Sequence, residues 1–252
     1  MVKRGKSQTD PWPAAAIPAP ATVPTGTRVY AIGDIHGCLE KLVSLHYAVA
    51  KDLAARPVAR SVLVHLGDFV DRGRDSAGVL WLLSGPIAAK TIDLRVDLLG
   101  NHESMMLEAL AENASDETVT LWLDNGGIAT LKSYGLQPHM PRAQWREIIP
   151  AQHLTYMRNL ALSHHEGGYL FVHAGIRPGI ALPLQSRDDM LWIRDPFLYD
   201  RTAHPLVVVH GHSMVRTPEI LSNRIAIDTG AVMGNPLSCL VLEEDNLRFL
   251  TA

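Results

Sequence analysis

Val29-Tyr30-Ala31-Ile32-Gly33-Asp34-Ile35-His36-Gly37 opens the patterned part of the chain. Four apolar residues end at a glycine, which predicts a short buried strand running into a loop. Apolar residues then recur at Leu39, Leu42, Val43, Leu45, Val49 and Leu53, a spacing that predicts a helix over 39–55. The same sequence of events happens twice more. A strand at 61–66 ends in Gly67-Asp68 and leads to a helix over 75–83, stopped near Gly85-Pro86. A strand at 94–99 ends in Gly100-Asn101 and leads to a helix carrying Met105, Met106, Leu107 and Leu110. Three β-loop-α units in succession predict an α/β fold. Each strand ends in a loop rich in Asp, His and Asn, and in open α/β sheets ligands gather outside the carboxyl ends of strands.

The rest of the chain has a different texture. Residues 114–160 carry Trp122, Gly126-Gly127, Tyr134-Gly135 and Pro141 among short apolar stretches, which predicts a helical insertion near the site. Strands are predicted at 169–172, 206–209, 224–227, 237–242 and 247–250, the last two joined by the turn Glu243-Glu244-Asp245-Asn246. A strand-rich second half predicts a second sheet stacked on the first. The length, 252 residues, suits a single domain over 27–252. Residues 1–26 read as a disordered Pro/Ala-rich leader, because proline at 11, 13, 18, 20 and 24 blocks regular structure. Lys3, Arg4 and Lys6 are followed by a Pro/Ala mixture and not by the apolar core of a signal peptide.

Composition narrows the function classes. Hydrophobic residues make up 47% of the chain, enough for a sizeable core, but no stretch approaches the roughly 18 apolar residues of a membrane span. Lys plus Arg total 23 against 26 Asp plus Glu, a formal charge of −3, which argues against a nucleic-acid binder. Cys38 and Cys239 form no CxxC pair and read as buried free thiols, so a reducing, cytoplasmic setting is expected.

The chemistry lies in the residues at the predicted strand ends: Asp34, His36, Asp68, Asp71, Asn101, His102, His173, His210 and His212. Oxygen and imidazole donors without thiolate suit Zn²⁺, iron or Mn²⁺. One carboxylate between two such clusters can bridge two metals, and a metal pair lowers the pKa of a shared water and clamps an in-line displacement. An isolated histidine is more often a hydrogen-bonded structural residue, and that reading is taken for His46, His65, His139, His153, His164, His165 and His204. The tryptophans at 81, 122, 145 and 192 read as core or wall.

Three ordered motifs, Gly33-Asp34-Ile35-His36-Gly37, Gly67-Asp68-Phe69-Val70-Asp71-Arg72-Gly73 and Gly100-Asn101-His102-Glu103, are followed by His173-Ala174-Gly175 and Gly211-His212. Together they resemble the signature of the phosphoprotein phosphatase family of calcineurin-like metallophosphoesterases. The resemblance implies two stacked mixed β-sheets flanked by helices. It implies two divalent metal ions (Mn²⁺, Fe²⁺/Fe³⁺ or Zn²⁺, with Mn²⁺ best able to support activity). Asp34 and His36 would hold the first, Asp68 would bridge, and Asn101, His173 and His212 would hold the second. A bridging hydroxide would attack phosphorus, His102 would protonate the leaving oxygen with Asp71 orienting it, and Arg72 and Arg194 would hold the phosphate.

The chain departs from eukaryotic members of that family in having Leu99 before Gly100, and Ile227-Asp228-Thr229-Gly230 near its C-terminal strands. These features, and Trp122-Leu123-Asp124-Asn125-Gly126-Gly127 with Thr130-Leu131, are similar to bacterial and phage members and to the symmetrical diadenosine tetraphosphatases. The expected activity is therefore a serine/threonine-type protein phosphatase acting on a phosphoprotein or a small phosphorylated substrate. A dinucleoside tetraphosphate or polyphosphate hydrolase is the alternative, and a metal-stabilised binding module without turnover is the alternative of another class. Oligomeric state is not legible.

Overall fold

The computed structural model describes residues 12–85 and 92–252. Its strands in chain order are β1 (Ile17–Pro18), β2 (Thr27–Ile32), β3 (Arg60–His65), β4 (Leu94–Asp97), β5 (Ser163–Glu166), β6 (Tyr169–Val172), β7 (Val207–His210), β8 (Glu219–Ile220), β9 (Arg224–Ala226), β10 (Ser238–Glu243) and β11 (Asn246–Thr251). The helices are α1 (Leu39–Ala55), α2 (Ser76–Ser84), α3 (Asn101–Ala109), α4 (Asp116–Trp122), α5 (Ile128–Ser133), α6 (Arg142–Ile148), α7 (Ala151–Arg158), α8 (Arg187–Trp192) and α9 (Asp195–Leu198). One sheet runs β1-β11-β10-β2-β3-β4 and the other β5-β6-β7-β9-β8. Within them β2, β3 and β4 are parallel, as are β6, β7 and β9, so six strand carboxyl ends carry the loops that matter for chemistry.

Alternation along the strands builds the layers, because successive side chains point to opposite faces. In β2, Val29 and Ala31 face the second sheet, where they meet Val62, Val64, Leu240, Tyr169, Phe171, Val209 and Ile225 in the core between the sheets. Tyr30 and Ile32 face the other way, into a core shared with Leu42, Leu45 and Val49 of α1 and with Met106 of α3. On the far side of the second sheet, Leu170, Val172 and Val208 pack with Ile193 and Phe197 from the α8–α9 segment. The result is two stacked mixed sheets flanked by helices, with α4 to α7 making up the expected insertion.

Two expectations need correction. The hairpin β10–β11 does not join the second sheet; it lies antiparallel to β2 and extends the first. The physical reason is again alternation: Cys239 and Val241 enter the helical core while Leu240 and Leu242 enter the inter-sheet core. A strand apolar on both faces fits the middle of a covered sheet and would be costly at an edge.

Residues 1–11 of the expected leader lie outside the described residues, and residues 12–26 are not a disordered tail. Trp12 is buried edge-on against Phe249, Phe249 N–H donates to Pro13 O at 3.0 Å, and Ile17–Pro18 pairs with Leu247 and Asn246. Val23 is buried, and Gly168 N–H and Tyr169 Oη donate to the carbonyls of Thr22 and Ala21 at 2.7 Å each. Proline is tolerated here because the segment lies at a sheet edge, where a missing N–H leaves no ladder bond unmade. Its apolar anchors, Trp12, Ile17 and Val23, supply the burial that the proline content obscures.

The strap predicts its own test. Trp12→Ala should lower the free energy of unfolding by about 3 kcal/mol, the usual cost of removing a buried aromatic. Urea denaturation reads this directly, and an unchanged midpoint would mean that the segment contributes nothing to the fold.

Candidate metal and phosphate site

The backbone sets the site before any side chain does. Ile35 and His36 donate their N–H groups to Asp68 O at 3.1 and 2.8 Å, and Gly37 N–H donates to Phe69 O at 2.9 Å, which binds the loop after β2 to the loop after β3. Glu103, in the first turn of α3, binds the third loop to the second. Its carboxylate accepts from the N–H groups of Asp68 (2.9 Å), Phe69 (2.7 Å), Val70 (3.1 Å) and Gly100 (3.0 Å). Burial and nearby Asp68 push the Glu103 pKa up, to about 8, while four converging donors favour the ionised form.

These ties hold unusual conformations. His36, Asp68, Asp71, Arg72 and His212 have φ of 44°, 51°, 71°, 66° and 60°, the left-handed region that side chains rarely adopt. Each costs of order 1–3 kcal/mol and persists only where neighbouring structure dictates it. Two glycines are needed for the close approach. A Cβ on Gly73 would overlap the His36 carbonyl oxygen, and one on Gly211 would overlap the Asp34 carboxylate.

The side chains converge on Asp68. Its Oδ2 lies 3.5 Å from His36 Nε2 and 3.9 Å from His102 Nε2, and its Oδ1 lies 3.4 Å from His173 Nε2. Asn101 Oδ1 lies 2.9 Å from His173 Nε2 and 3.0 Å from His212 Nδ1. Asp34 Oδ2 accepts the His212 N–H at 3.0 Å, and its Oδ1 is buried without a hydrogen-bond partner. Two triads, His36-Asp68-His102 and Asp68-His173-His212, each bring their ligand atoms within 4.8 Å of one another, with Asp68 in both.

The donor count says what fits there. His36 Nδ1 and His173 Nδ1 face the carbonyls of Val70 and Leu66 at 2.8 Å each, so both nitrogens must donate. Burial pulls the pKa of His36 down to about 4 and also lowers that of His173, so both imidazoles are neutral and their Nε2 atoms are acceptors. His173 Nε2 thus confronts the oxygens of Asn101 and Asp68 without a proton between them. Burial, with Asp228 and Asp68 close by, raises the Asp34 pKa well above the carboxylate range. Burial opposes ionisation of Asp68, and the charge of His102, whose own pKa is raised, helps to hold the Asp68 carboxyl below that range. Converging carboxylate, amide-oxygen and imidazole acceptors suit divalent cations, and the residues present therefore fit the metal that their chemistry implies.

On one side of Asp68 stands a dyad: His102 Nδ1 donates to Asp71 Oδ2 at 2.8 Å, and both residues are buried. Burial acts against protonated His102, but Asp68 and Asp71 outweigh it and raise its pKa. Arg72 Nη1 donates to His36 Nε2 at 2.9 Å, which puts a guanidinium beside the cluster. Arg194 stands at the rim, exposed, with Nη1 donating to Ser213 Oγ at 3.2 Å, and among the described residues it makes no ion pair with Asp195.

The structure thus brings together Asp34, His36, Asp68, Asp71, Arg72, Asn101, His102, His173 and His212, and sets Arg194 one residue away, against Ser213. His210 stands apart, its ring against Gly211 O and Arg224. The sequence assigns no chemical role to Glu103, Asp228 or Thr130, and reads Trp122 as core or wall. An acidic residue three positions after Gly100 at a helix start is a capping signal and could have singled out Glu103. Asp228 follows β9 at the end of a strand, like the other acids, and could have been grouped with them on that ground.

The chain has relatives among known proteins. The calcineurin-like phosphoesterase family model matches residues 27–243. Serine/threonine-protein phosphatase 1 of Salmonella typhimurium is 30% identical over 84% of this chain and 90% of that protein. The symmetrical bis(5'-nucleosyl)-tetraphosphatase of Nitrosomonas europaea is 31% identical over 59% of this chain and 45% of that protein. Among solved structures, a provisionally assigned diadenosine tetraphosphatase superposes with a TM-score of 0.59 at 24% identity, covering 92% of this chain and 98% of that one, a likeness of fold.

Glu103→Gln tests the tie between the loops. The amide replaces one acceptor oxygen with a donor facing backbone N–H groups, so unfolding free energy should fall by about 1–3 kcal/mol and bound divalent metal should fall with it. Denaturant titration with metal analysis checks this, and a variant with wild-type stability and metal content would contradict the role given to Glu103.

Proposed function

The chain belongs to the calcineurin-like phosphoesterase family, and we propose that it is a metal-dependent phosphomonoesterase of the serine/threonine protein phosphatase type. The observation that carries this reading is the arrangement around Asp68: its carboxylate belongs to two triads of metal-capable side chains, His36 and His102 completing one and His173 and His212 the other, and in the first triad His102 is held by Asp71 and His36 by Arg72. Asp34 and His36 would hold one cation, Asn101, His173 and His212 a second, and Asp68 both. A divalent pair bound there supplies Lewis acidity, which activates water near neutral pH and offsets charge on the phosphoryl group. Mn²⁺ suits the mixed oxygen and imidazole donors.

The chain's own residues do the remaining work. Arg72 and Arg194 present guanidinium forks to phosphate oxygens, the geometry that binds them in pairs. Asp71 accepts from His102 Nδ1 and favours the protonated imidazolium, so the transferable proton is the one on Nε2, the nitrogen that faces Asp68. That proton passes to the leaving oxygen as the P–O bond breaks. The near end-to-end match to a named serine/threonine phosphatase supports a phosphoprotein substrate. The two free thiols agree with a reducing, cytoplasmic setting. No helix among the described residues is long and apolar enough to cross a membrane.

Hydrolysis of a dinucleoside polyphosphate is the second reading, and one observation favours it. The Trp192 indole is 43% exposed and stands edge-on to His212 with ring centroids 6.2 Å apart, where a nucleobase could stack.

Two measurements test these assignments. With Mn²⁺ present, phosphoserine and phosphothreonine peptides should be turned over faster than diadenosine tetraphosphate; the reverse order would establish the second reading. His102→Asn should reduce kcat on phenyl phosphate by about 10²-fold or more and on p-nitrophenyl phosphate much less, since a good leaving group needs little protonation. Equal losses on the two esters would remove the acid role.

A further inference from the structure

Asp71 is surrounded by the helical insertion and not by the sheet that carries it. Trp122, at the end of α4, donates its Nε1–H between both carboxylate oxygens, at 3.1 Å from each. Thr130, in α5, donates its hydroxyl to Asp71 Oδ1 at 2.7 Å and accepts the Asp71 backbone N–H at 2.8 Å. Ser76 Oγ lies 3.0 Å from both the Asp71 N–H and Thr130 Oγ1. Asp71, Trp122 and Thr130 are all fully buried.

The insertion is shaped to deliver these groups. Between α4 and α5 the chain passes through a wide turn, Leu123–Gly127, where Gly126 has φ of 111° and its carbonyl accepts the Arg72 N–H at 3.2 Å. A Cβ on Gly127 would come within 2.6 Å of the Trp122 indole, so glycine is needed for the ring to reach the acid. Trp145 of α6 backs the indole edge-on at 6.3 Å.

We propose that Trp122 and Thr130 are positioning residues for phosphoester cleavage, holding the Asp71 carboxylate so that His102 presents Nε2 to the leaving oxygen. The inference rests on reading His102 as the acid. Asp71 has few ways to be placed otherwise, since its own backbone sits at φ of 71°. Thr130 grips both ends of that strained residue, backbone and carboxylate. Trp122 spans the two oxygens and blocks rotation of the carboxylate about its last bond. With three donors, from His102, Trp122 and Thr130, the buried carboxylate has its charge met by hydrogen bonds without a water. As a hydroxide oxygen bonds to phosphorus, the leaving P–O bond breaks and its electron pair stays on the leaving oxygen; the Nε2–H bond of His102 breaks, its pair stays on nitrogen, and the proton joins the leaving oxygen. The Nδ1–H stays with Asp71 throughout. The insertion is on this account part of the acid machinery, besides lying beside the site.

The test compares Thr130→Val, Thr130→Ser and Trp122→Phe in the full chain loaded with Mn²⁺. Thr130→Val and Trp122→Phe should each lose about 10-fold in kcat on phenyl phosphate and less than about 2-fold on p-nitrophenyl phosphate, with KM and metal content unchanged. Thr130→Ser, which keeps the hydroxyl, should stay within about 2-fold of wild type on both esters. If Trp122→Phe fails to fold, the Thr130 pair decides alone. A Thr130→Val enzyme that matches wild type on phenyl phosphate, or loses equally on both esters, overturns the proposal. His102→Asn is run in parallel: if it discriminates between the esters while Thr130→Val does not, the positioning role fails and the acid reading stands; if it does not discriminate, the acid reading fails first.

Discussion

Four backbone N–H groups meet on the Glu103 carboxylate, and the placement of Asp68, His36, Asn101 and His102 follows from that meeting. Three consecutive donors, from Asp68, Phe69 and Val70, can point at one acceptor only if the chain turns tightly there. The turn is what gives Asp68 its left-handed backbone. With Asp68 fixed, its carbonyl receives the N–H groups of Ile35 and His36, so the first loop is set by the second. With Gly100 held by the same carboxylate, α3 starts where Asn101 and His102 reach the cluster. A buried acid is expensive, and this one is retained because it makes three loops from three strands into one rigid unit.

Rigidity has a purpose that the side chains make plain. Asp68, Asn101 and His173 offer lone pairs to one another across 2.9–3.4 Å, and the Nδ1 proton of His173 that could relieve the opposition is already committed to the Leu66 carbonyl. Such an arrangement is stable in the presence of cations and strained without them. Neutral histidines, kept so by burial, are the form that binds metal. The same low-dielectric surroundings strengthen the buried His102–Asp71 pair. The calcineurin-like fold provides six strand ends for this purpose, three from each half of the chain.

Much of this was legible in the residues. The apolar runs ending in Gly-Asp located β2 and β3, because a strand buried on both faces must be a short apolar block, and the polar residues after it have nowhere to go but the loop; Gly100-Asn101 marked the loop after β4, an edge strand only half-buried. His173 and His212 follow β6 and β7 by the same rule. What the sequence hid depends on contacts distant along the chain. The β10–β11 hairpin was misplaced because alternation says that both faces are covered, but not by which sheet. The proline-rich strap was misread because Trp12 and Val23 acquire their burial only against Phe249 and the second sheet. Trp122 was taken for core, and it is buried as core would be; its bond to Asp71 joins positions 51 residues apart, which no local pattern reveals.

On this reading Asp68 would stand between two cation positions, with Asp34 and His36 on one side and Asn101, His173 and His212 on the other. Anomalous diffraction from crystals grown with Mn²⁺, recorded at the manganese edge, tests it most directly. The account predicts two peaks, roughly 3.5–4 Å apart, one on each side of the Asp68 carboxylate, with His36 against one and His173 and His212 against the other. A single peak, or a pair lying away from Asp68, would contradict it.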